Sequence, residues 1–122
     1  MNTQKVLLVE DDYSTQFMMT EMLDAVGIDF EIANDGQECI EKLEDNADRF
    51  DAVLLDIHMP RKSGLDALME IRSDSKDPPK NIRIVALTAD TSWHNKSRIE
   101  EVGFNDLLTK PVTMDKIVSV LN

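Results

Sequence analysis

Two runs, Val6-Leu7-Leu8-Val9 and Ala52-Val53-Leu54-Leu55, contain no polar side chain. They fall far short of the roughly 20 apolar residues that a membrane span needs. A strand with one solvated face would alternate. Continuous apolar runs this short instead suit strands covered on both faces, as in a parallel sheet between two layers of helices.

The rest of the pattern agrees. Strands are expected over Lys5–Val9, Asp29–Ala33, Ala52–Leu55, Ile82–Leu87 and Asp106–Thr109, with segments of helical period between them. Asp29-Phe30-Glu31-Ile32 alternates, which assigns it to a sheet edge with one wetter face. The first helix carries Met18, Met19, Met22, Leu23 and Val26 and ends at Gly27; its methionines read as core filler. Asp35-Gly36 turns into a second helix carrying Ile40, Leu43 and Ala47. A third follows Gly64, with Leu65, Leu68 and Met69 inward and Pro78-Pro79 closing the loop after it. A fourth, near Thr91–Val102, offers only Trp93, Ile99 and Val102 as large apolar residues, so its grip on the sheet is expected to be weak. Trp93 suits a partner surface or the core equally well, and His94 reads as a solvated side chain. The last helix starts near Thr113 and carries Met114, Ile117, Val118 and Leu121. The expected architecture is a (βα)₅ doubly wound α/β fold, a single domain over residues 1–122.

A net charge of −11 argues against direct nucleic-acid binding, which needs a basic footprint. Cys39 is the only cysteine, so no internal disulfide can form and a reducing, cytosolic setting is expected. The start, Met1-Asn2-Thr3-Gln4-Lys5, lacks the basic-then-apolar order of a signal peptide.

In doubly wound sheets the site lies beyond the carboxyl ends of the strands, near the switch in strand order. Here the strands stop at Glu10-Asp11, Asp56, Thr88 and Lys110. One carboxylate after a strand is usually a helix cap or a solvated turn; agreement at four strand ends is stronger. Three crowded carboxylates raise one another's pKa unless a cation joins them. Oxygen-only ligands with room for water suit Mg²⁺. A carboxylate oxygen left free can attack a phosphoryl donor and form an acyl phosphate. The metal, the Lys110 ammonium and the Thr88 hydroxyl with backbone N–H groups can meet the charge on the equatorial oxygens.

The ordered set Val9-Glu10-Asp11-Asp12, Leu55-Asp56-Ile57-His58-Met59-Pro60 with Gly64, Leu87-Thr88-Ala89 and Thr109-Lys110-Pro111 resembles the receiver domain of two-component response regulators. The resemblance covers the whole chain. It implies a flavodoxin-like sheet of order 2-1-3-4-5. It implies Asp56 as phospho-acceptor, with a histidine kinase or histidine phosphotransfer protein as donor. Glu10, Asp11, Asp56 and the backbone carbonyl of His58 would hold Mg²⁺, directly or through water. Thr88 and Lys110 would take the switch and phosphate-contact roles, and Lys110-Pro111 would be cis. A downstream protein would bind the face of the fourth helix, strand five and the last helix, with no output domain, membrane or nucleic acid involved.

Leu107 departs from the family, which usually has Tyr or Phe three residues before the lysine. Asp12 reads as a rim or capping residue. His58 and Asp90 stand where the family borders the path of hydrolytic water, and their opposite charges suit a pair when His58 is protonated. Three other readings compete. A dehalogenase-like phosphohydrolase would carry Asp-x-Asp after its first strand, whereas this candidate nucleophile follows strand three as Asp56-Ile57-His58. A flavin carrier would need a hydroxyl-rich phosphate loop where three acids stand. A phosphorylation-independent interaction module has no need for the intact acid, hydroxyl and lysine set.

Overall fold

The two apolar runs become neighbours at the centre of a parallel sheet. The computed structural model describes residues 4–59 and 62–121. In it, β1 (Lys5–Val9) pairs with β2 (Asp29–Ala33) on one side and β3 (Ala52–Asp56) on the other. β4 (Arg83–Thr88) and β5 (Asp106–Thr109) extend the sheet to the order β2-β1-β3-β4-β5. Successive side chains of a strand point to opposite faces, and two cores result. Leu7, Val9, Val53 and Leu55 pack beneath α2 (Gly36–Asn46), α3 (Gly64–Arg72) and α4 (Lys96–Val102). Val6, Leu8, Ala52 and Leu54 pack beneath α1 (Tyr13–Ala25) and α5 (Met114–Leu121). All eight residues are fully buried, as their composition requires. β2 lies at the sheet edge and stays partly exposed from Asp29 to Ile32.

Three expectations change in the helices. Met69 is exposed, because the buried stripe of α3 is Gly64, Ala67, Leu68 and Ile71, an i, i+3, i+4, i+7 series that starts on the glycine. Met18 is exposed as well; α1 buries Gln16, Met19 and Leu23, with Met22 and Val26 packed at the margin. The fourth helix is two pieces, a 3₁₀ turn over Thr91–Trp93 and then α4. Asn95 divides it and Asp90 opens it, since each side-chain oxygen accepts a backbone N–H and starts a new element. Trp93 belongs to the core, with the Arg98 guanidinium 4.0 Å above its ring. In α5, Ile117 and Leu121 face inward while Met114 and Val118 are exposed.

Among the described residues, no helix is long and apolar enough to cross a membrane. Cys39 is fully buried, and that burial pushes its thiol up to about 12. The thiolate is the reactive form, so Cys39 should resist alkylation in the folded chain and react promptly in denaturant. Rapid labelling of the native protein would contradict this placement.

Candidate functional site

Strand register brings the polar strand ends together. Val9 pairs with Leu55, Asp56 with Leu87, and Thr88 with Thr109, so Glu10, Asp56, Thr88 and Lys110 leave one edge in step. The Lys110 ammonium lies 2.8 Å from Glu10 Oε1 and 3.5 Å from Asp56 Oδ2. Glu10 and Asp56 are buried, whereas Asp11 is exposed at the rim. One carboxylate oxygen from each of the three acids lies within 4.8 Å of the other two.

Burial, followed by the neighbouring Asp56 carboxylate, raises the pKa of Glu10 against the opposing Lys110 bond. Partial burial and then Glu10 raise that of Asp11. Burial alone would lower the Lys110 ammonium, but its bond to Glu10 and the charges of Asp56 and Glu10 outweigh burial and raise it. Among the described residues, one ammonium thus pairs with two of the three carboxylates. An oxygen-only set with surplus negative charge fits a hard divalent cation such as Mg²⁺.

The backbone fixes these groups. The His58 N–H donates to Asp56 Oδ1 at 3.1 Å and holds the carboxylate orientation. The Asp90 N–H donates to Thr88 Oγ1 at 2.9 Å, leaving the hydroxyl its own proton to donate. The Lys110 N–H donates to the Thr88 carbonyl at 3.0 Å, tying β5 to β4 beside the site. The Lys110-Pro111 bond is cis. Asp12 is the N-cap of α1, accepting from Thr15 N–H at 2.9 Å and Thr15 O–H at 2.7 Å. Those two bonds hold its pKa below the ordinary value.

At the mouth, exposed His58 places Nε2 3.3 Å from Asp90 Oδ2. Bonds from Ser92, then His58, hold Asp90 below its ordinary pKa, so it stays ionised. Leu107 is partly buried against the core, and His94 is exposed. Of the expected Met59-Pro60 turn, Met59 is buried and Pro60 lies outside the described residues.

Sequence reasoning overlooked Gln16. Its buried amide donates to the Glu10 carbonyl and, at 2.8 Å, to Asn34 Oδ1, bracing the exit of β1 against the end of β2. A polar residue three positions before Met19 on a buried stripe was the available signal.

A family profile described as the response regulator receiver domain matches residues 6–122. Hybrid signal transduction histidine kinase I of Dictyostelium discoideum is 33% identical over 98% of this chain, which covers 7% of that protein. The receiver domain of sensor histidine kinase PA1611 from Pseudomonas aeruginosa PAO1, solved with a magnesium ion coordinated in its active site cleft, is 30% identical with a TM-score of 0.84. That match covers 98% of this chain and 95% of the other. A chain of the co-crystal of the Saccharomyces cerevisiae histidine phosphotransfer signaling protein Ypd1 with the receiver domain of its downstream response regulator Ssk1 is 28% identical. Its TM-score is 0.80, with coverage of 98% and 86%. The chain spans less than half the length of the first curated relatives it matches.

Proposed function

The chain belongs to the response regulator receiver domain family, and from that premise we propose that Asp56 accepts a phosphoryl group from a histidine kinase or histidine phosphotransfer protein. The observation that carries this reading is the Lys110 ammonium seated on buried Glu10 and Asp56 where β1, β3 and β5 end together.

In this reading the His58 N–H holds one Asp56 oxygen while the other forms the new O–P bond as the donor's P–N bond breaks. Lys110 turns from Glu10 to a phosphoryl oxygen, and the Thr88 hydroxyl donates its proton to another. Glu10, Asp11, Asp56 and the backbone carbonyl of His58 would hold Mg²⁺, which when bound neutralises phosphoryl charge and the repulsion among the acids. The domain acts only on its own phosphorylation state and signals through binding.

Exposed apolar side chains on α1 and α5 would offer the donor a landing surface. Tyr13, Phe17 and Met18 of α1 are exposed, as are Met114 and Val118 of α5, and such apolar patches mark interaction surfaces. The face of α4, β5 and α5 serves a downstream protein, because Thr88 leads through Asp90 into α4, which buries only Ile99. A reduced lone cysteine and histidine-kinase partners fit a cytoplasmic setting.

Mass spectrometry after incubation with acetyl phosphate and Mg²⁺ tests the reading. A retained adduct supports it, phosphate release with turnover favours an aspartyl phosphohydrolase, and no reaction favours a phosphorylation-independent module.

Metal binding gives a second test. Asp11→Asn should weaken Mg²⁺ at least about tenfold by calorimetry, because it removes a charged oxygen from the cluster. Asp12→Asn should leave the affinity within about twofold, since Asn caps a helix as well as Asp does. Equal losses would count against this assignment of the acids.

A further inference from the structure

We propose that Gln16 is a positioning residue for the divalent cation: its amide, through the Glu10 carbonyl, sets the backbone that aims Asp11 and so the affinity of the acid cluster. The inference rests on the metal role assigned to Asp11 above and deepens it.

Gln16 stands on the buried stripe of α1, which runs Gln16, Met19, Leu23 at i, i+3 and i+7. An apolar residue is expected there, since burying an amide costs free energy that only hydrogen bonds offset. The bonds that Gln16 makes lead to the site. The register of β1 with β2 stops at Val9 and Ala33, and just past it the Glu10 N–H reaches the Ala33 carbonyl at 3.1 Å. The Glu10 carbonyl beyond is met by the Gln16 side-chain amide. The same nitrogen donates to Asn34 Oδ1 at 2.8 Å.

The orientation of this amide is dictated from both ends. Glu38 Oε2 accepts from Asn34 Nδ2 at 3.3 Å and from the Asn34 N–H at 3.2 Å. Asn34 therefore turns its oxygen to Gln16, and the backbone carbonyl at the far end can only accept. Glu38 is itself fixed in the first turn of α2, where its N–H donates to Asp35 Oδ1 at 2.8 Å. A chain of bonds thus runs from the start of α2 to the peptide that joins Glu10 to Asp11.

Two hydrogen bonds meet the peptides on either side of Asp11. The Asp12 N–H donates to Glu10 Oε2 at 3.2 Å, and Gln16 holds the Glu10 carbonyl. The first draws on a carboxylate assigned to the cation. The second draws on no acid of the cluster, so a cation that engages Glu10 leaves it intact. Exposed at the rim, Asp11 is aimed by its backbone more than by packing. Groups that orient a ligand without touching the metal change affinity about 10–100-fold when removed.

Calorimetric titration of the full chain with Mg²⁺ tests the proposal. Gln16→Met keeps the length and the burial but removes the donor, and its affinity should fall about tenfold. Asn34→Ala, at an exposed position, frees only the far side of the amide, so the loss should be about threefold. Leu23→Ala empties a fully buried place on the same stripe; it should lower the melting temperature and leave the affinity within about twofold of the wild type. At saturating Mg²⁺ the Gln16→Met adduct with acetyl phosphate should form at the wild-type rate, because Gln16 touches no reacting group. A Gln16→Met affinity within about twofold of the wild type would overturn the proposal. So would an equal loss in Leu23→Ala, which marks an effect of stability alone, or slow adduct formation that saturating Mg²⁺ does not restore. Unchanged affinity in Asn34→Ala overturns it as well, and decides the case if Gln16→Met does not fold. A wild type that binds no Mg²⁺ removes the inference together with the metal assignment. A wild type that binds Mg²⁺ and forms no adduct refutes the receiver reading, and the titrations still judge Gln16.

Discussion

Asp56→Asn will take up no phosphoryl group from acetyl phosphate or phosphoramidate under conditions in which the wild type is fully labelled. The expected effect is complete loss, because an amide oxygen has neither the charge nor the nucleophilicity of a carboxylate. The substitution should leave the fold intact. An amide oxygen can still accept the 3.1 Å bond from the His58 N–H, and the side-chain volume is nearly unchanged. The electrostatics favour the variant, since the neighbouring Asp56 carboxylate is one of the causes that raise Glu10. Removing it lets Lys110 serve Glu10 alone, so stability without metal should match or exceed the wild type by up to about 1 kcal/mol. A folded, equally stable protein without an adduct separates lost chemistry from lost structure. Labelling that persists and maps to Asp11 or His94 would sink the assignment.

The parts of this molecule legible in its sequence are those where a single physical demand acts. β1 and β3 are covered on both faces, so Val6–Val9 and Ala52–Leu55 had to be continuously apolar, and the polar residues that follow them had to mark the site edge. Lys110 was readable because its ammonium follows directly on the strand that carries Leu107 and Leu108, where a parallel sheet places its site. Legibility fails where two demands compete. Gly64 carries no apolar side chain, yet a close backbone approach makes it the first residue of the α3 stripe; the pattern counted without it is turned onto Met69. Asn95 sits inside a helical-period segment and Asp90 just before it, and each accepts a nearby backbone N–H, so that a short turn carrying Trp93 into the core is capped separately from α4. Gln16 is buried because the carbonyl of Glu10 needs a donor, a demand that no apolar periodicity records.

Gly64→Ala should produce the largest loss of stability among conservative substitutions near the site. Ala is ordinarily better than Gly in a helix by about 1 kcal/mol, so propensity alone predicts a gain. Packing reverses the sign. A Cβ on Gly64 would collide with the backbone oxygen of Asp56, and would lie 2.8 Å from Ile57 Cα and 2.9 Å from the Asp56 carbonyl carbon. These are backbone atoms at the end of β3 and cannot swing aside as a side chain would. The Gly64 N–H also donates to the Ile57 carbonyl at 3.1 Å, so the two segments cannot separate without losing that bond. Overpacking of this kind costs about 1–3 kcal/mol or more, and an unyielding neighbour places Gly64→Ala at or above the upper end. Gly27→Ala is the control. Its φ of +78° disfavours a side chain, but no atom lies within 4 Å of the added Cβ. Its cost should therefore be confined to backbone strain, about 1 kcal/mol. The functional consequence differs as well. Any shift that relieves Gly64→Ala moves the Asp56 backbone, and with it the carboxylate that lies 3.5 Å from Lys110. Below its melting temperature, Gly64→Ala should bind Mg²⁺ more weakly and form the acetyl phosphate adduct more slowly, while Gly27→Ala changes the melting temperature alone. If the two variants behave alike in both assays, the approach of α3 to the end of β3 does not position the acceptor.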